Sequence, residues 1–216
     1  MTMKRLIPAF WCALAVSLHA QQLQTFEIKA DDWSEGEPPK EVFVVDGTIK
    51  IAARDGNKAI VIDPVPVTDA SAQLAESAAG NASIEARVFA TKRARSTPRF
   101  GISVHGMSGY RLLVTPAKKE LELVKGDETL ASVPFTWTSD AWLILKLEAK
   151  KGEGDKWTIT GKAWAPETPE PAEPLLKHED AGLKGQGKCA IWATPFSGEP
   201  VYFDDIRIAV ETAAAP

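Results

Sequence analysis

Short runs that alternate apolar and polar residues recur about every ten residues along most of this 216-residue chain, with glycine-bearing turns between many of them. Successive side chains of a strand point to opposite faces, so each run reads as a strand with one buried face. Such even, close spacing leaves no room for the helical crossovers of a parallel sheet and describes antiparallel sheets packed face to face. In ASIEARVFA, Ile84, Ala86 and Val88 share a face against Glu85, Arg87 and Phe89; in AWLILKLEA, Leu143, Leu145 and Leu147 turn toward the core. Asp46-Gly47, between EVFVV and TIKIAA, is a strong hairpin signal, and Asp55-Gly56-Asn57 turns into AIVI. Two stretches interrupt the pattern. Pro64 and Pro66 exclude a central strand over residues 63–81, where Asp69 is placed to cap a short helix through SAQLAESAA, or the stretch is a loop with one helical turn. Residues 165–186, rich in Pro and Glu, read as a functional loop or a wrap across the surface. The expectation is an all-β, two-sheet antiparallel β-sandwich of about thirteen strands with at most one short helix.

Residues 1–20 stand apart. Lys4 and Arg5, an apolar stretch from Leu6 to Leu18 and the small Ala20 have the order of a cleaved signal peptide, and the stretch is too short for a membrane span. A secreted or periplasmic protein is expected, with residues 21–216 as a single domain, soluble once the leader is removed. That portion carries 23 basic and 29 acidic residues, a net of −6, which disfavours nucleic acid as a partner. Cys189 is its single cysteine, so the fold rests on its core and not on disulfides.

The closing run VYFDDIRIAV holds a polar pair inside apolar residues. Strict alternation sets Phe203 and Ile206 on opposite faces, whereas Ile206, Ile208 and Val210 share one. If Phe203 is to join that core face, a β-bulge is required at Asp204-Asp205. Together with ITGKAWAPETPEP and GQGKCAIWA before it, this run resembles the C-terminal half of concanavalin A-like jelly rolls of exported bacterial proteins, similar to the 3-keto-disaccharide hydrolase type. The resemblance covers about 130 residues and rests on pattern and not on a diagnostic motif. It implies two face-to-face sheets, a concave face that binds saccharides in many relatives, and a structural Ca²⁺ between first and last strands. Asp204 and Asp205, with Glu27, are the carboxylates that would hold that ion.

No catalytic signature accompanies the pattern. Glu120 and Glu122 share a face of KKELELVKG, but Val124 or Lys125 fills the third acidic position of the family-16 glycoside hydrolases, and the pair reads as the exposed face of an amphipathic strand. His105 and His178 are the only histidines after the leader; there is no nucleophile elbow, and Cys189 sits among apolar residues as a structural thiol. Saccharide binding asks for exposed aromatic platforms with hydrogen-bonding partners. Trp137, between two strands, and Trp164, beside the Pro-rich stretch, are the best platforms. His105, Tyr110 and Arg111, around one turn, are candidate contacts. The basic loop TKRARSTPR, with Lys92, Arg93, Arg95 and Arg99, reads as a solvated hairpin loop, with an anionic-ligand or acidic-glycan contact as the alternative. These residues point to a saccharide- or cell-envelope-glycan-recognising module without catalysis of its own. The alternatives are a glycoside-cleaving enzyme of the 3-keto-disaccharide hydrolase type and an envelope interaction domain.

Overall fold

Fifteen strands, two more than the alternation alone predicts, form an eight-stranded and a seven-stranded antiparallel sheet in this computed structural model, which describes residues 22–183 and 186–212. The leader expected over residues 1–20 lies outside the described residues. The strands are β1 (Gln22–Ile28), β2 (Val42–Asp46), β3 (Ile49–Arg54), β4 (Asn57–Ile62), β5 (Ala70–Ala78), β6 (Ala82–Ala90), β7 (Arg99–Val104), β8 (Tyr110–Thr115), β9 (Glu120–Lys125), β10 (Glu128–Pro134), β11 (Ala141–Lys151), β12 (Trp157–Trp164), β13 (Leu176–Asp180), β14 (Gly187–Thr194) and β15 (Val201–Thr212). The larger sheet runs β13-β12-β11-β6-β15-β4-β3 with β1 also on β15, and the smaller runs β10-β9-β8-β7-β14-β5-β2. Among the described residues the only helical turns are two single 3₁₀ turns, Ala30–Asp32 and Gly106–Ser108.

Both extra strands lie in the stretches that broke the pattern. SAQLAESAA is β5 and not a helix: Ala70, Ala72 and Leu74 are buried at two-residue spacing, and the strand is hydrogen-bonded between β14 and β2. Pairing on both edges overrides the helical preference of alanine. Asp69 caps nothing; its carboxylate accepts from Thr194 Oγ1 at 3.0 Å. In the Pro-rich stretch, Leu176–Asp180 adds β13 to the edge of β12 and buries Leu176.

The Asp46-Gly47 hairpin does not form. β2 belongs to the smaller sheet and β3 to the larger, so this turn carries the chain from one sheet to the other. Gly47 has φ +83, and a Cβ there would overlap the Cβ of Ala70, so the crossing requires glycine twice over. The tight hairpin comes one turn later: Arg54 pairs Asn57 around Asp55 (φ 54) and Gly56 (φ 90), as a two-residue turn with both φ positive demands.

The bulge in β15 is present. Asp204 pairs Arg87 and Arg207 pairs Glu85, so Asp205 and Ile206 oppose the single residue Ala86, and Asp205 takes φ 47. Phe203 and Ile206 both lie in the core as a result. β15 pairs β6 along one edge; along the other, Val201–Phe203 pair β4 and Ile206–Thr212 pair β1. One core cluster draws on both sheets, with Ile84, Ala86, Val88, Leu145 and Leu147 facing Phe100, Ile102, Leu112 and Ile191.

Candidate functional site

Both sheets end together where β6 hands over to β7 and β10 to β11, and an aromatic cleft opens there. Trp137 rides on the 135–140 connection and Trp142 follows at the start of β11; Trp164 closes β12. The three indoles, with Phe135 and the exposed carboxylate of Glu167, line a cleft of about 330 Å³. Alternation explains the last two placements. Trp142 and Trp164 are on the outer face of the larger sheet, since Leu143, Leu145 and Ala163 point into the core. Trp137 is half-buried, its ring edge-on to Phe100 at 5.7 Å, with its indole N–H buried and unpartnered.

The wall bearing Glu167 is pinned from below. Glu170 takes the ammonium groups of Lys146 at 3.0 Å and Lys162 at 2.7 Å, and Lys162 also donates to the Pro171 carbonyl. Trp142 continues a ladder across the outer face. Tyr202, Phe89 and Trp142 are in register on β15, β6 and β11, and Phe89 meets its neighbours edge to face at 6.1 and 5.6 Å. Arg54 stacks over Phe89 at 3.3 Å and Arg87 over Trp142 at 4.6 Å, so fixed cations cover one side of the ladder.

Of the five expected saccharide contacts, the structure brings Trp137 and Trp164 to one cleft and sends the other three elsewhere; Trp164, expected as an exposed platform, is buried to 9 % exposure and shows the cleft little of its ring. His105 is 2 % exposed, in the left-handed region (φ 61), edge-on to Trp157, and burial pushes its pKa down to about 4. Tyr110 is fully buried, and its hydroxyl donates to Asp180 at 2.7 Å; burial first and that carboxylate second raise its pKa. Neither offers a surface to a ligand. The chain reverses through His105 into a 3₁₀ turn and tucks both rings inward. Arg111 lies on the outer face of the smaller sheet, stacked over Trp192 at 4.8 Å and bonded to the Gly126 carbonyl and Asp69.

That face is closed by its own side chains. Trp192, Leu113, Val124 and Ala190 make a satellite cluster, and the Trp192 N–H donates to Ser103 at 2.8 Å. Glu122, expected as exposed strand polarity, is 4 % exposed beside this cluster. Burial alone would raise its pKa, but Lys118 at 2.7 Å and the Thr115 hydroxyl at 2.5 Å outweigh it and hold the carboxyl below its ordinary range. It is kept ionised, unlike a general acid.

The calcium set does not assemble. Glu27 stands opposite Arg207 and pairs with Lys29, while Asp205 binds Arg87 at 2.7 Å, a cation already in place. Among the described residues no three His, Cys, Asp or Glu side chains gather about one point. Asp204, in the gap between β4 and β1 along one edge of β15, is 6 % exposed in a hollow with Arg54, Asn57 and Trp142; burial raises its pKa against the opposing hydrogen bond from the Asp205 backbone.

A larger hollow, about 560 Å³, lies elsewhere, beside Phe26 and Trp33, with two lysines and three glutamates on its walls. It offers one indole where the cleft gathers three. Sequence reading missed Trp142 and Phe135. The signal for Trp142 was available, because it directly precedes core-facing Leu143 and must point outward.

No family model matches the chain, and no curated protein does. Solved structures match its fold. A carbohydrate-binding module, CBM66, of Bacillus subtilis aligns with a TM-score of 0.54 at 14 % identity over 80 % of this chain and 96 % of that one. The CBM2 module of an evolved Dit protein of Lactobacillus casei phage J-1 gives 0.56 at 11 % over 91 % and 98 %. An alginate lyase of Aplysia kurodai gives 0.51 at 9 % over 74 % and 86 %. At these identities the likeness is one of fold, a lectin-like jelly roll.

Proposed function

We propose that this protein is an exported module that recognises a saccharide in the cleft of Trp137, Trp142 and Trp164 and performs no chemistry of its own. The observation that carries the proposal is the convergence of three indoles from separate segments around one opening that also offers threonine hydroxyls and a carboxylate. Sugar rings present C–H faces to such platforms and hydroxyls to the polar rim. The carbohydrate-binding modules that share the fold support the reading, and the leader-like order of residues 1–20 supports export. The cleft lining contains one carboxylate, Glu167, whereas glycoside hydrolysis needs two flanking the bond. A glycan array probed with the purified protein should show saccharide binding. Trp137→Ala and Trp142→Ala, checked for folding by circular dichroism, should each weaken it about tenfold or more, the scale of a central aromatic anchor. Absence of any binding, or full binding by both variants, overturns the proposal.

One observation favours a second reading. Asp204, held toward its protonated form in the hollow adjoining Trp142, has the character of a proton donor. Turnover of glycosides, 3-keto-glycosides included, by the native protein and its loss in Asp204→Asn would replace binding by catalysis. If neither binding nor turnover is found and an envelope partner copurifies, the protein is an interaction domain.

A further inference from the structure

Beside the cleft, on the other side of Trp137, lies a second hollow of about 280 Å³. It shares Phe135, Thr136 and Trp137 with the cleft, so an extended ligand crossing the Trp137 ring enters both. Its other walls include Lys92, Lys119 and Ser139, and no carboxylate lines it. Both lysines are placed by the connection that carries Trp137: the Lys92 N–H donates to Ser139 Oγ at 2.8 Å, and the Lys119 carbonyl accepts the Phe135 N–H at 2.8 Å. Neighbouring cations are engaged, Arg93 by Glu199, Arg99 by Asp69 and Lys118 by Glu122. Neither Lys92 nor Lys119 makes an ion pair among the described residues. The nearby Asp140 carboxylate is taken up by the hydroxyls of Thr91 and Ser139, both at 2.7 Å.

We infer that the saccharide is acidic and that this hollow receives a carboxylate- or sulfate-bearing sugar unit, its ring near Trp137 and its anion between Lys92 and Lys119. The inference rests on the binding reading above and names the chemistry of its ligand. Two ammonium groups free of carboxylates beside an aromatic wall suit an anion on a sugar, and a neutral sugar leaves both charges unused. Attraction from exposed lysines is screened by salt, so the preference for acidic ligands should shrink as ionic strength rises.

The test is an array carrying neutral, uronic-acid and sulfated oligosaccharides, probed with the native protein and with Lys92→Gln, Lys119→Gln and the double variant. Binding should concentrate on acidic glycans. Each single variant should lose roughly two- to fivefold there, as for exposed ion pairs, with neutral-glycan binding and melting temperature unchanged. The uronic-acid and sulfated arms distinguish the two anions. Binding confined to neutral glycans, or acidic binding indifferent to the double variant, overturns this inference and leaves saccharide recognition standing. Silence across the whole array overturns both.

Discussion

At His105 both ring nitrogens are buried without a well-formed hydrogen bond, and the nearby Gly80 backbone offsets only part of that burial, so protonation would set a poorly compensated charge inside the fold. Its folded pKa of about 4 lies below the ordinary 6.5, so the unfolded chain binds that proton more readily between the two values. The stability held by the neutral imidazole is complete above about pH 6.5 and is lost as pH falls toward 4, roughly 3 kcal/mol over the window. Denaturant titrations at pH 7 and pH 4.5 should show His105→Asn losing less stability between them than the native protein does. Asn suits the positive φ, so the backbone is kept. Equal losses would move the acid sensitivity to another group. Side-chain direction decided how legible the single residues were. Trp137 and Trp164 could be placed near one end of the sandwich because each sits where a strand meets a connection, but the burial of Trp164 could not be read. His105 and Tyr110 share that position, but a left-handed residue and a 3₁₀ turn rotate them inward, and spacing carries no sign of it. Lys92 was visible as one of four charges in a basic loop, while its place beside the 135–140 connection, more than forty residues away, was not.

Among the elements, the bulge of β15 was legible because two apolar sets on one strand disagreed in phase. Its energetics follow from the same count. Deleting Asp205 places Ile206 two residues after Phe203 and opposite Ala86, so regular pairing keeps Phe203, Ile206, Ile208 and Val210 together on the core face. The deletion should therefore fold with a straightened strand, and failure to fold would show that the bulge itself is required. Asp205→Asn, which keeps the extra residue and tolerates φ 47, should fold and lose at most about 1 kcal/mol with the part-exposed Arg87 pair. Thermal melts of the two variants separate geometry from charge. β5 was hidden because alanine carries little strand preference of its own and the sheet positions on both sides supply the reason for extension. Asp46-Gly47 misled for a related reason: the dipeptide specifies a tight turn and says nothing about whether the strands beyond it join one sheet or two.

Across the whole molecule, the sandwich class was legible from period and spacing, while the order of strands was not, since strands paired in a jelly roll lie far apart in the chain. β15 shows the distance most plainly. The last strand among the described residues lies inside the larger sheet, between β6 on one edge and β4 with β1 on the other. A chain ending at residue 197 lacks the partner of three strands and should stay unfolded by circular dichroism and fluorescence, where the full chain refolds. Native signals from that fragment would refute the central role given to β15. The position of this strand also sets a clock. A nascent chain cannot close its larger sheet until Val201–Thr212 has been synthesised, so that sheet stays open while the strands before it are made. An open thread is the form in which a polypeptide can be drawn through a narrow pore, as the proposed export would require.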